Sequence, residues 1–449
     1  MPSVDDRRAT GRATRESLPR RAVGDWEPGA RRHDALEIVL AQSATRVPEL
    51  VQVRHGRMSA SPWTYYRGAA AVMAADLAGR PHSGLTVQLC GDAHVLNFGL
   101  WATPERQLSF DLRDFDETLP GPFEWDVLRL VASLQVLALD LSSDGAPGPD
   151  GDAAVREAIA GYRAKLREYA ELPFLDVWYD LHTADDLVGL VDPEEQDELA
   201  ARIARRARKR SHAGAARKLT ERGQAGVRLV EAPPFRVHVA DRDERLVDEV
   251  VAAYRATLSE DRRYLLDRFT VVDVVRQVVG VGSVGMQVFL VLLEGSRDDD
   301  LLLLQVKQAG PSVYEEHLEP SRYPNHGQRV TVGRRVLQSS TDILVGWTRL
   351  GRADFYVRQF RDMKVVPSGE QVAPWLPQFA RKCGHVLARA HARTGDALAI
   401  DAYIGKGAAF ADATLRFSRE YAKQTVRDHG RLLEAIGDGA VPSAPGWGP

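Results

Sequence analysis

Apolar positions along this chain fall into helical, strand-like and fully apolar runs. Residues 33–80 carry them at helical spacing, with Leu36, Ile38, Val39 and Leu40 opening the run. A second helix is predicted after Ser61-Pro62, which supply a cap and a first-turn proline. The stretches LTVQLCGDAHVLNFGLW and QLSFDLRDFDETLPGPFEW each read as a short strand entering a loop. Val127–Leu141 reads as a buried helix, interrupted by Arg129, Ser133 and Gln135 and so too polar to span a bilayer. The Gly/Pro/Asp stretch 142–152 is a linker, and 153–225 is mainly helical. From about 268 the pattern changes to long apolar runs, FTVVDVVRQVVGVGSVG, MQVFLVLLEG and LLLLQVKQA, which predict a β-meander with a Gly-rich first turn. A helix near RVTVGRRVLQSS, a strand DFYVRQFRDMKVV and a helical C-terminal region follow, with no internal repeat.

Composition narrows the classes. Hydrophobic residues make up 44% and charged residues 27% of 449 positions, which excludes a disordered chain or a coiled coil. With 59 Lys+Arg against 62 Asp+Glu the net charge is −3, so no global field draws the chain to nucleic acid or membrane. Two cysteines, Cys90 and Cys383, exclude a disulfide scaffold and a Cys-rich zinc site. Residues 1–32 lack the apolar segment of a secretory signal and read as a disordered, solvated tail, as does 441–449. A cytoplasmic protein without a membrane partner is expected. The basic run 202–218 contains no interleaved aromatic residue, so it reads as a solvated helix face rather than a nucleic-acid site.

Chemistry concentrates in Gly91-Asp92-Ala93-His94-Val95-Leu96-Asn97, on a loop after a strand. Asp114 and Asp116 follow in Leu112-Arg113-Asp114-Phe115-Asp116-Glu117. One carboxylate can orient a hydroxyl, while an amide oxygen and further carboxylates can hold Mg²⁺ through hard oxygen ligands. Asp126, in the first turn of the helix that opens at Gly121-Pro122-Phe123, is placed to pin backbone amides of the loop. A second group lies far downstream. Gly280, Gly282, Ser283 and Gly285 form a Gly-rich turn between strands, where backbone amides can approach phosphates. Lys307 stands on the third strand of that meander, with Glu315 and Glu316 as candidate acidic partners. Arg358, Arg361 and Lys364 either face phosphate or alternate with buried neighbours.

The segments GDAHVLNFG, LRDFDE and GPFEWDVLRL resemble the catalytic loop, metal-binding segment and following helix of the aminoglycoside phosphotransferase and choline kinase branch of kinase-like enzymes. With RMSASPWTYYRGAA, YVRQFRDMK and LARAHARTGD, the chain resembles domain-of-unknown-function family 2252 over most of 35–435. The resemblance implies Asp92 as catalytic base, Asn97 and Asp114 as metal ligands, and Asp126 as a structural residue; Asp116 is a further candidate ligand, and His94 either touches substrate beside Asp92 or hydrogen-bonds the loop. Cys90 departs from the histidine usual in the wider group.

In that group the glycine loop and lysine precede the catalytic loop; here they follow it by nearly two hundred residues. The expectation is therefore an α+β, protein-kinase-like two-lobed fold with circularly permuted motif order and extra helices. Residues 33–265 would supply part of the C-lobe with a helical insertion, 266–370 a β-rich nucleotide-binding lobe with hinge, and 371–440 further C-lobe helices. Placing the catalytic loop at His391 and Asp396 would restore conventional order, but Asp401 stands where an Asn is needed. The expected function is ATP- and Mg²⁺-dependent phosphotransfer to a hydroxyl of a small molecule. The alternatives are AMP transfer on the same fold and an inactive nucleotide-binding scaffold.

Overall fold

The structure, a computed structural model, describes residues 2–444 except 32, 45, 143–147, 225, 234, 239–248, 279–284 and 298. It is a mixed α+β architecture. In the early half, β1 (Thr86–Leu89) pairs antiparallel with β4 (Leu119–Pro122), and β2 (Phe98–Ala102) with β3 (Leu108–Leu112). These ribbons bracket the loops 90–97 and 113–118. β4 runs directly into the helix Phe123–Leu141, buried on every side from Phe123 to Ala138. All-round burial explains its nearly continuous apolar sequence. The polar residues that interrupt it bond to neighbouring segments: Glu124 accepts the Ser83 amide and hydroxyl, and Ser133 accepts the Val95 amide. Behind it, the helices Gly151–Glu171 and Leu376–Thr394 pack so closely that a Cβ on Gly384 would lie 2.2 Å from the Ala158 carbonyl oxygen.

The late half is a six-stranded antiparallel sheet. After the small hairpin β5 (Thr220–Gly223) and β6 (Gly226–Leu229) come β7 (Arg236–His238), β8 (Thr270–Gln277), β9 (Val288–Glu294), β10 (Leu301–Ala309), β11 (Gly346–Leu350) and β12 (Ala353–Gln359). The order across the sheet is β11-β12-β10-β9-β8-β7. Alternate residues serve opposite faces. Leu290, Leu292 and Leu303 pack with Leu219 and Leu229, whereas Val291, Leu293 and Leu304 pack with Tyr254 and Phe355. Two covered faces account for the unbroken apolar runs. The helix His326–Leu337 lies between β10 and β11 in sequence and packs on β10, β11 and β12.

Several expectations change. Residues 4–17 are a helix with a Ser3/Asp6 capping box, not a disordered tail. Its arginines bond to the protein rather than to water: Arg7 pairs with Asp396 at 2.8 Å, and Arg15 donates to the carbonyls of Ala402 and Tyr403. Leu18 and Val23 beyond it are buried. The sheet also reaches back past residue 266, because β7 pairs with β8 and Tyr254 and Val250 fill its underside. Strands of three or four residues are too short for periodicity to reveal. At the C-terminus Val441 is buried, and the Ala444 amide donates to the Gln52 carbonyl; 445–449 lie outside the described residues. Among the described residues no helix is long and apolar enough to cross a membrane.

Candidate active site

Backbone pins shape the loop after β1. Gly91 has φ +85°, and a Cβ there would sit 2.3 Å from the Glu117 carbonyl oxygen, so the two loops meet only through glycine. Asp126, expected to hold this loop, accepts the amides of Cys90 at 2.6 Å and Gly91 at 3.0 Å. Behind Asp126 stands His391, at 3.4 Å, with its other nitrogen 2.8 Å from the Tyr162 hydroxyl. Asn97 is fully buried. Its Nδ2 donates to the carbonyls of Asp92 at 2.8 Å and Asp114 at 3.0 Å, and its Oδ1 accepts the Asp114 amide at 2.9 Å. The carboxamide proposed as a metal ligand thus staples the two acidic loops together and does not line the cavity they enclose.

The carboxylates differ in their wiring. Asp92 Oδ1 accepts Arg129 Nε at 2.9 Å and Nη2 at 2.8 Å. Arg129, fully buried, stacks 3.9 Å over the Tyr66 ring and donates to the Tyr66 carbonyl. Burial pushes the Asp92 carboxyl up, and the Arg129 charge only partly offsets this. Asp92 Oδ2 lies 3.9 Å from His94 Nε2. His94 is held well below the usual imidazole range by burial and by Arg67, Arg129 and Arg113, and its buried Nδ1 has no hydrogen-bond partner among the described residues. Asp114 Oδ1 is likewise buried without a hydrogen bond. Burial would raise its pKa, but the charges of Lys307, Arg113, Arg358 and Lys364 hold it well below the carboxylate range.

Both oxygens of Asp116 are used, by the Lys307 ammonium and by the Tyr356 hydroxyl at 2.9 Å. Lys307 sits on β10 opposite Tyr356 of β12, buried, with Nζ 3.9 Å from Asp114. Burial alone would lower its pKa; Asp114 and Asp116 outweigh that and keep it charged. Its acidic partner is therefore Asp116, and neither Glu315 nor Glu316. Glu315 accepts the amides of Ser312 and Ser321, and Glu316 is exposed. The helix His326–Leu337 contributes Arg329, which donates to the carbonyls of Asp116, Thr118 and Gly310 and so anchors the loop bearing that partner. Of the glycine turn, Gly285 has φ +92° and its carbonyl accepts the Val47 amide at 2.8 Å; Gly280, Gly282 and Ser283 lie outside the described residues.

Asp92, His94, Asp114, Asp116 and Lys307 line one cavity of about 450 Å³. Nine Lys and Arg side chains and six carboxylates surround it. Arg358, Arg361 and Lys364 all face it, as does Arg210 from the basic run. Sequence reasoning missed Arg67 and Arg113 on the wall and Arg129 beneath Asp92. An arginine inside an otherwise apolar helix was the available signal for Arg129. Asp396 lies elsewhere, capping the helix Ala397–Ile404. Among the described residues no group of three or more His, Cys, Asp or Glu is arranged to hold a metal. Magnesium needs fewer protein ligands, since it binds through one or two carboxylates plus phosphates and water. The orphaned Asp114 oxygen and the neighbouring Asp92 fit that requirement, whereas Asp116 and Asn97 are committed to other partners.

Residues 46–435 match a family described as uncharacterized proteins conserved in bacteria, DUF2252. No curated protein and no solved structure matches the chain.

Proposed function

We propose that this chain, which belongs to the DUF2252 family, is an ATP- and magnesium-dependent phosphotransferase acting on a hydroxyl of a small molecule. The observation that carries the reading is the ion pair of Lys307 with Asp116, residues 191 apart in sequence, in the cavity that also holds Asp92 and Asp114. A lysine for phosphates, a carboxylate for the hydroxyl and a carboxylate oxygen without a hydrogen bond for a cation are the parts that phosphoryl transfer requires.

Arg129 fixes one oxygen of Asp92, leaving Oδ2 to orient the acceptor hydroxyl and take its proton. The raised pKa of a buried carboxyl suits that task. Lys307 engages the phosphates of ATP, and Asp116 positions Lys307. Asn97 sets the separation of the Asp92 and Asp114 loops. When bound, magnesium would be held by Asp114, with Asp92 beside it, and would neutralise phosphate charge. Rate enhancement then comes from positioning and electrostatics.

Two features support a permuted kinase-like arrangement. The hairpin β8–β9, the lysine strand β10, the helix 326–337 and the hairpin β11–β12 follow one another as in a nucleotide-binding lobe. The late helix Leu376–Thr394 also ends against the strand that opens the early loop: the Gln88 amide donates to Thr394 Oγ1 at 3.1 Å. A conventionally ordered chain would pass straight through that junction. The inactive-scaffold alternative drew its support from a lysine without an acidic partner, and Asp116 supplies one.

The test is incubation of the full chain with Mg²⁺, a metabolite extract and ATP labelled at the γ or the α phosphate, with Asp92→Asn in parallel. Transfer of γ label by the wild type alone is expected. Transfer of α label instead would assign AMP transfer, and no transfer of either label would sink the enzymatic reading.

A further inference from the structure

The acidic and basic groups around the cavity are not matched to one another. Most of its carboxylates are satisfied without the basic wall. Asp92 pairs with Arg129, Asp116 with Lys307, and Asp362 with Arg106 at 2.7 Å. Asp342 accepts the amides of Leu344 and Gln359, and Glu117 that of Val313.

What remains is a group of cations. Among the described residues the side chains of Arg67, Arg113 and Lys364 make no hydrogen bond or ion pair, and the Nε atoms of Arg67 and Arg113 are buried. Arg334 donates only to a backbone carbonyl, that of Arg113, and Arg358 only to the carboxamide of Gln305. Asp114 is the carboxylate whose charge they share, and one carboxylate does not offset so many half-buried like charges, which stay unfavourable until a further anion joins them. Burial, with Arg113 and Arg358 alongside, outweighs the nearby Asp114 and holds the Lys364 ammonium well below its usual range. Burial and Arg358 push Arg334 down to about 10.

The triphosphate of ATP is one claimant, but Lys307 already serves it in the reading above. The position of the cluster favours another. Arg67 and Arg113 line the cavity with Asp92 and His94, and the His94 imidazole feels both charges. This is the side where the acceptor hydroxyl must lie if Asp92 orients it. We infer that the acceptor is itself a phosphomonoester, whose phosphate is gripped by Arg67, Arg113 and Lys364 while its hydroxyl meets Asp92. The inference rests on the phosphotransferase reading and adds the chemical class of its substrate.

The experiment uses the full chain saturated with Mg²⁺ and a non-hydrolysable ATP analogue, whose triphosphate fills the positions that ATP would use. Inorganic phosphate is then titrated calorimetrically. Phosphate should still bind, and Arg113→Gln and Lys364→Gln should each weaken it at least ~10-fold while analogue affinity stays unchanged. Arg113→Lys, which keeps the charge, should recover part of the loss and guards against misfolding as the cause. Phosphate excluded by the analogue, or variants that weaken both ligands alike, would return the cluster to the triphosphate and overturn the inference. Phosphate binding without any analogue binding would instead remove the phosphotransferase reading, and the acceptor assignment with it.

Discussion

The two sides of the cavity handle buried charge in opposite ways. On the early-loop side nearly every polar atom has a partner inside the protein: Asp126 with two amides, Asn97 with three backbone groups, Asp92 with Arg129, Asp116 with Lys307 and Tyr356. For the cavity cations Arg67, Arg113, Lys364, Arg334 and Arg358, Arg113 of the 113–118 loop included, hydrogen-bond partners are a carbonyl, a carboxamide or nothing among the described residues. Paired groups form architecture, because buried polar atoms are normally satisfied. Unpaired groups that also line the cavity are where a ligand can complete the pairing. The exceptions on the early side, Asp114 Oδ1 and His94 Nδ1, sort the same way: both belong to residues lining the cavity.

Substitutions that break the paired side should differ in kind as well as size. Asp92→Asn should lower kcat by ~10³-fold or more, since a positioned general base contributes about that much, with ATP affinity largely kept. Equal turnover by the variant would remove Asp92 from the chemistry. Asp126→Ala leaves two buried amides unpaired at about 1–3 kcal/mol each, so denaturant unfolding should show a loss of about 3 kcal/mol. A midpoint unchanged by that substitution would mean the loop holds its shape without the carboxylate. Lys307→Ala should weaken ATP binding by ~10²-fold, as expected for a charged group in a water-poor site, and an unshifted nucleotide titration would assign the lysine a structural role. It also strands Asp116, so Asp116→Asn should reproduce a smaller part of the same loss.

How much of this was legible depends on chain distance. The Gly91–Asn97 and Asp114–Asp116 segments stand out because their residues are neighbours in sequence, and so is the placement of Asp126 one helix turn past β4. Lys307 was legible from its strand, and its partner was not. An acid was sought a few residues downstream, at Glu315 and Glu316, while the actual partner comes from a loop 191 residues earlier. The role of Asn97 was misjudged for a related reason. Spacing reveals that a carboxamide is near two carboxylates, but not which way its oxygen points. The N-terminal helix was hidden because its arginines look like solvated charge, when several bond to Asp396 and to helix-end carbonyls almost four hundred residues away. Apolar periodicity exposes elements; pairing across the fold needs coordinates.

Glu117 offers the finest test of the contrast, because it sits on the paired side with only a backbone amide, that of Val313, as its partner. Burial, helped by the nearby charges of Asp116 and Asp92, pushes its carboxyl up from 4.5 to about 7. A carboxyl whose folded pKa lies above its unfolded value favours the fold while protonated. The stability contributed by Glu117 is therefore complete below about 4.5 and is lost as pH climbs through about 7. Glu117→Gln keeps the size and removes the titration. Relative to the wild type, the variant should gain about 2 kcal/mol of unfolding free energy between roughly pH 5 and pH 8, measured by urea denaturation at each pH. Parallel stability curves for the two proteins would mean that Glu117 is better solvated or better paired than its single amide contact implies, and the early-loop side would then be fully satisfied at this position too.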